Sequence, residues 1–80
     1  MKIQILGTGC HKCRKLEENA KKAVEELNLD CEIEKITDLN EIMKYSILMT
    51  PGFAINKNIK SAGKVLTFDQ IKDYLQKELP

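Results

Sequence analysis

Two stretches in the first half of the chain alternate between apolar and polar residues, which is the pattern of a half-buried strand. In residues 2–6, Ile3 and Ile5 lie on one face and Gln4 lies on the other. Residues 29–36 repeat the alternation with acidic residues on the polar side. We therefore expect two strands, and the second should have one solvated face.

A third and a fourth strand are predicted at residues 53–56 and 59–62, which flank the pair Lys57-Asn58. Asparagine tolerates a left-handed backbone, so this pair predicts a tight hairpin turn between the two strands. Gly63 then breaks the fourth strand.

Apolar residues at helical spacing predict a first helix over residues 12–27. Charged side chains, Glu17 among them, cover its remaining positions and are expected to be solvated. Asn28 is a suitable terminator near the C-cap. The apolar positions of this helix are Leu16, Ala20, Ala23, Val24 and Leu27.

Two capping patterns predict helices in the second half of the chain. Asp38 stands three residues before Glu41, so a short helix should begin here and run to about Tyr45. Thr67 and Gln70 have the same spacing and should start a final helix. The short helix is expected to bury Leu39, Ile42 and Met43. The final helix has an apolar face formed by Phe68, Ile71, Tyr74, Leu75 and Leu79.

The predicted element order is β-α-β-α-β-β-α. The first two strands, joined through a helix, require a right-handed parallel crossover. The last two strands form an antiparallel hairpin. One α/β domain over residues 1–80, with a four-stranded mixed sheet flanked by helices, accounts for every predicted element.

Composition narrows the class of protein. Thirteen basic and 12 acidic residues give a net charge of +1, which indicates neither a nucleic-acid partner nor a membrane surface. No segment approaches the roughly 20 apolar residues of a membrane span, and the N-terminal apolar run is too short for a signal peptide. Three cysteines are an odd number, unlike a disulfide framework. We therefore expect a cytoplasmic protein, in which paired cysteines are usually catalytic or metal-binding.

The chemistry of the chain centres on Cys10-His11-Lys12-Cys13, between the first predicted strand and the first predicted helix. Unpaired backbone N–H groups and the helix dipole at a helix N-terminus stabilise a thiolate. The thiolate is the form of cysteine that attacks disulfides, and a C-x-x-C near a βαβ pattern is typical of thioredoxin-like redox proteins. The motif therefore predicts thiol–disulfide exchange.

With these features in place, the chain resembles a thioredoxin-fold protein of the smallest, glutaredoxin-sized kind. The match rests on the Gly-Thr-Gly-Cys-x-x-Cys segment at residues 7–13, the Thr50-Pro51 pair before the third strand, and Gly63 after the fourth. More narrowly, it resembles the small archaeal and bacterial thioredoxin-like proteins called redox-active disulfide protein 2. The resemblance covers essentially the whole chain.

The resemblance implies a thiol–disulfide oxidoreductase that acts on protein disulfides with neither a cofactor nor a metal. Cys10 would be the exposed nucleophile and Cys13 the resolving thiol. Pro51 would be a cis-proline that faces the disulfide, and the backbone of Thr50 would pair with an extended substrate segment. The expected partners are a protein disulfide and a reductase of unknown identity, and the protein is expected to be a monomer.

The chain also departs from typical thioredoxins and from glutaredoxins. It has no tryptophan, no proline between the two cysteines, and no aspartate in the first strand, where typical thioredoxins bury one that assists deprotonation. The segment Ala62-Gly63-Lys64 stands where glutaredoxins carry Gly-Gly-Cys/Ser-Asp. The absence of this glutaredoxin signature argues against glutathione binding.

The remaining polar residues of the motif and the third cysteine have two interpretations each. His11 and Lys12 would stabilise the Cys10 thiolate if either is cationic near it, or they are simply exposed polar residues. Cys31 is expected to be a small core residue, with a third redox thiol or a metal ligand as the alternative. Met49 is expected to pack near Pro51, where it could line a substrate groove.

Two functions of other classes stay open at this point. Cys10 and Cys13, with His11 or Cys31, could bind zinc or a soft monovalent ion, although the second cysteine pair of a structural zinc site is missing. A copper chaperone starts in the same way but has the order β-α-β-β-α-β. A non-catalytic interaction domain with vestigial cysteines is the other alternative.

Overall fold

The computed structural model describes residues 1–9, 11–47 and 49–78. Seven elements lie within these ranges. The strands are β1 (Lys2–Leu6), β2 (Glu32–Ile36), β3 (Gly52–Ile55) and β4 (Asn58–Ala62). The helices are α1 (His11–Glu26), α2 (Leu39–Met43) and α3 (Phe68–Glu78). The observed order confirms the predicted β-α-β-α-β-β-α arrangement.

The strands of this part of the chain form one mixed sheet in the order β2-β1-β3-β4. β1 pairs with β2 in parallel, and the β1–β3 and β3–β4 pairs are antiparallel. Because β3 runs against β1, the residue that ends β1 lies opposite the residue that starts β3, in the pair Leu6 and Gly52. The predicted four-stranded mixed sheet is confirmed.

Both faces of the sheet are covered, but to different depths. α1 and α3 pack on one face, against Ile3 and Ile5 of β1 and Phe53 and Ile55 of β3. The buried helix residues there are Leu16, Ala20, Ala23, Ile71 and Leu75. The opposite face holds a smaller cluster of Leu6, Ile42 and Ala54. The main core therefore lies beneath α1, which starts immediately after Cys10.

The second strand begins three residues later than the expected position 29. Asn28 takes a positive φ of 52° and closes α1, as predicted, while the Leu29 N–H donates to the Val24 carbonyl at 3.1 Å. This pattern is a Schellman closure of the helix. The first residue of β1, Lys2, pairs with Glu32, so residues 29–31 have no partner in that strand. Leu29 still packs against the core from outside the strand.

The hairpin turn between β3 and β4 lies one residue earlier than predicted. Asn56 and Lys57 occupy the turn with φ values of 51° and 71°, and Asn58 belongs to β4. Two consecutive residues with positive φ are the requirement of a type I′ turn. The turn is tied to β1, since the Lys57 N–H donates to Gln4 Oε1 at 2.8 Å and the Lys2 N–H donates to Asn56 Oδ1 at 3.0 Å.

Capping was predicted correctly for the two later helices, but the buried face of α2 was not. Asp38 accepts a hydrogen bond from the Asn40 N–H at 2.8 Å, whereas Leu39 and Met43 are 63% and 70% exposed. Ile42 alone of the three expected residues is buried, at 4%. A helix of five residues makes little more than one turn, and its contact with the sheet buries Ile42, while Leu39 and Met43 on either side of that contact stay exposed. The helix also ends before Tyr45.

Candidate functional site

The predicted site residues fall on two segments that the sheet brings together. Cys10, the predicted nucleophile, lies outside the described residues. The others lie within them, at the start of α1 and in the loop that leads into β3: His11, Lys12, Cys13, Thr50 and Pro51.

Cys13 is the third residue of α1 and is only 5% exposed. Its Sγ atom lies against Gly7, the residue that follows β1, so closely that a Cβ on Gly7 would collide with the sulfur. The Gly7 N–H donates to the Ile36 carbonyl at 2.9 Å, which fixes Gly7 beside the end of β2. In the sequence, Gly7 is marked only as part of the Gly-Thr-Gly-Cys-x-x-Cys segment. Its close contact with Cys13 gives it a second role that spacing alone did not indicate.

The proline loop approaches Gly7 from the same side as Cys13. The Thr50–Pro51 peptide bond is cis, and the Pro51 Cα lies 4.0 Å from the point that a Gly7 Cβ would occupy. Pro51 is buried, whereas Thr50 is exposed. The structure therefore brings Pro51 and Cys13 to the same glycine, although 37 residues separate them in the sequence.

A second glycine joins this loop to the end of β4. The Gly63 N–H donates to the Pro51 carbonyl at 2.8 Å. The side chain of Met49, which is 63% exposed, lies over Gly63, and a Cβ there would stand 3.1 Å from the Met49 Cβ. Gly63 has a φ of +79°. Met49, Thr50 and the residues around Gly63 thus form one edge of the surface beside Pro51.

The start of α1 carries positive charge. His11 and Lys12 are exposed, and the first turn of the helix contains no acidic residue. Helix N-termini favour negative charge, because their unpaired N–H groups and the helix dipole are positive there. Basic side chains at this end add to that positive potential. The arrangement is suited to stabilising an anion such as a thiolate near the helix start.

Cys31 lies in a different place, before β2, and packs partly buried against the main core. Burial raises the pKa of the Cys31 thiol, the N-terminal ammonium opposes that increase, and Asp30 adds to it. The Sγ atom lies 3.9 Å from the Glu32 carbonyl oxygen, to which it can donate. A raised pKa disfavours the reactive thiolate, which supports the interpretation of Cys31 as a packing residue.

Two further features bear on the alternative functions. The described residues contain no group of three or more histidine, cysteine or carboxylate side chains placed to hold a metal ion. Within the same residues, no helix is both long and apolar enough to cross a membrane.

A mixed β2-β1-β3-β4 sheet, with a helix that starts after β1 and a proline loop before β3, defines a thioredoxin-like protein. Residues 1–76 match the family model described as thioredoxin domain. The chain is 44% identical over 75 residues to a thioredoxin of Methanothermobacter thermautotrophicus, covering 94% of this chain and 97% of the relative. It is 48% identical over 77 residues to a thioredoxin of Methanocaldococcus jannaschii, covering 96% and 88%.

The chain therefore belongs to the thioredoxin family, as the sequence resemblance predicted. Its similarity to these archaeal relatives extends over nearly the full length of both. Thiol–disulfide oxidoreduction is the general activity that this membership supports.

Proposed function

We propose that the protein is a dithiol–disulfide oxidoreductase that acts on protein disulfides through Cys10 and Cys13. The observation that carries the proposal is the placement of the Cys13 sulfur, which is buried against Gly7 at the start of α1, on the side of that glycine that Pro51 also approaches. A sulfur so placed is shielded from solvent but lies in the first turn of a helix, where a thiolate is stabilised.

The reaction uses the two thiols in sequence. The Cys10 thiolate attacks one sulfur of a target disulfide, and the other target sulfur leaves as a thiolate and takes up a proton. Cys13, once deprotonated, then attacks the Cys10 sulfur of the mixed disulfide and releases the second target sulfur. The protein donates two electrons to the target, because Cys10 and Cys13 end as a disulfide and the target ends as two thiols. A reductase must then restore the dithiol.

The residues around the two thiols have supporting roles in this proposal. The edge beside Pro51 that Met49, Thr50 and the residues around Gly63 form would receive an extended segment of the target, with the Thr50 backbone available for pairing. His11 and Lys12 would favour the Cys10 thiolate and so raise the reduction potential, because a stabilised thiolate favours the reduced form. The protein would work as a monomer in the cytoplasm, where thiols are kept reduced.

A redox titration tests the proposal. The metal-free protein is equilibrated in dithiothreitol buffers, its thiols are trapped, and mass spectrometry assigns which cysteines have exchanged. We expect one reversible two-electron transition confined to Cys10 and Cys13. Cys31→Ser is the matched control, since it should leave the transition unchanged, while Cys10→Ser and Cys13→Ser should each abolish it.

The titration also separates the redox function from the metal-binding alternative. A protein without a reversible couple, whose two motif thiols instead hold a stoichiometric soft metal ion, would contradict the proposal. The role of His11 is tested by comparing the midpoint reduction potential of His11→Ala with that of the wild type. An unchanged midpoint would remove His11 from the mechanism.

A further inference from the structure

A cavity of ≈ 260 Å³ lies behind Cys13, between α1 and the carboxyl end of β2. Cys13 forms part of its wall, together with Glu17 from α1 and Lys35 from β2. Pro51 does not line this cavity, although Gly7 and Cys13 do. The volume is ample for water molecules, which need far less room than this.

Glu17 is unusual among the acidic residues of α1. Its side chain is 15% exposed, whereas that of Glu18 is 63% exposed. Glu17 Oε2 lies 3.6 Å from Lys35 Nζ and 3.7 Å from Lys21 Nζ. Glu17 follows Cys13 by four residues, and residues at that spacing are neighbours on one face of a helix. The sequence pattern had assigned Glu17 to the solvated face.

The second half of the exchange reaction requires a proton acceptor near Cys13. A buried thiol must become a thiolate before it can attack, and burial disfavours the charged form. Release of the proton to bulk water would leave a new negative charge in the wall of the cavity. Transfer of the proton to a carboxylate in the same wall leaves the total charge of the cavity wall unchanged. The free-energy cost of burying the thiolate charge is therefore smaller.

The charged groups that face the cavity allow such a transfer. α1 contributes Arg14 and Glu17, and β2 contributes Lys35. β1 and the residue after it contribute Ile5 and Gly7, which carry no charge. Before the transfer, the Lys35 ammonium is balanced by the Glu17 carboxylate. After the transfer, Glu17 is neutral and the same ammonium shares the cavity wall with a Cys13 thiolate.

We propose that Glu17, held by Lys35, accepts the proton of Cys13 through this cavity during the resolving step. The proton passes from the Cys13 sulfur to Glu17, and the Cys13 sulfur forms a bond to the Cys10 sulfur. The bond between Cys10 and the target sulfur breaks, and the target thiolate leaves and takes up a proton from solvent. One disulfide forms as another is lost, so no further oxidant is required. This inference rests on the proposed function.

The test follows the two half-reactions separately with the disulfide reagent 5,5′-dithiobis(2-nitrobenzoate). In a Cys31→Ala background, attack by Cys10 releases a first equivalent of coloured thiolate, and attack by Cys13 releases a second. At pH 7 we expect Glu17→Gln to slow the second release by about tenfold or more, in the range of general acid–base effects, and to leave the first unchanged. The defect should shrink above about pH 9, where a thiol ionises without an acceptor.

Matched variants distinguish this role from a structural one. Lys35→Met should also slow the second release, whereas Lys21→Met should not, because Lys21 pairs with Glu17 without lining the cavity. Glu17→Asp should recover part of the rate. A second release from Glu17→Gln equal to that of the unsubstituted background at every pH would overturn the inference and leave the proposed function intact. A background protein that releases no second equivalent would overturn both.

Discussion

The Sγ atom of Cys13 occupies the space beside Gly7 in which any other residue would carry its Cβ. We therefore expect Gly7→Ala to push the Cys13 side chain away and to destabilise the fold by about 1–3 kcal/mol, as overpacking of a tight site does. Urea unfolding measures the loss. Thr8→Ala, at the exposed neighbouring position, is the control and should change stability by no more than about 0.5 kcal/mol. Equal stability of both variants would contradict the contact.

Gly63 should resist substitution for two separable reasons. Its φ of +79° disfavours any side chain, and an added Cβ would meet the Met49 Cβ at 3.1 Å. Gly63→Ala is expected to cost about 1–2 kcal/mol for the backbone conformation alone, with the crowding in addition. Combining it with Met49→Ala should recover only the crowding by the Met49 Cε and Sδ atoms, which would stand 3.2 and 3.3 Å from the added Cβ. If the double variant were as unstable as the sum of the two single variants, Met49 would not be in contact with Gly63.

The orientation of α2 can be tested by comparing its three apolar residues. Ile42→Ala should destabilise the protein by about 2–5 kcal/mol, because Ile42 is 4% exposed and packs on the minor cluster. Leu39→Gln and Met43→Gln should each stay within about 0.5 kcal/mol, since both side chains face solvent. Thermal and urea unfolding of the three variants give the ranking. A large loss in either glutamine variant would indicate that the helix is turned the other way.

Cys31 should make the folded state less stable in alkaline solution. Because burial raises the pKa of its thiol, the folded protein holds this proton more tightly than the unfolded chain does. Stability from this group is thus fully present below the unfolded pKa of about 8.5 and is lost as pH rises through the folded value. The test compares two proteins that both carry Cys10→Ser and Cys13→Ser, one with Cys31 and one with Cys31→Ala. The difference between their unfolding free energies should shrink between pH 7 and pH 10, because only the protein with Cys31 loses this contribution. A constant difference would contradict the shift.

The order of elements could be predicted because each is marked locally. Alternation defined β1, helical spacing defined α1, and Thr67 with Gln70 forms the expected reciprocal cap at 3.2 and 2.9 Å. The cysteine motif could be assigned to the start of α1 from its position after the first strand, and the expectation for Pro51 followed from the family resemblance.

Features that depend on contacts between distant segments could not be predicted in the same way. The side of α2 that faces the sheet is decided by packing on Leu6 and Ala54, and a five-residue helix has too little periodicity to reveal it. Glu17 has the sequence setting of a solvated residue, but it is shielded in the fold, where Lys35 of the distant strand β2 lies beside it. The burial of such side chains is set by contacts between segments that are far apart in the sequence.

The pairing of Leu6 with Gly52 has a consequence for how the two parts of the site stay aligned. Gly7 and Pro51 each lie one residue beyond that pair, so the spacing between the thiol segment and the proline loop is set by the rungs of a β-ladder. A change of length in the intervening 43 residues would leave this spacing intact, provided that the strands still pair. A slip of one residue between β1 and β3 would instead turn every side chain of the strand to the wrong face. The alignment of the site is therefore protected by the same hydrophobic core that holds the sheet together, and loops can vary in evolution without disturbing it.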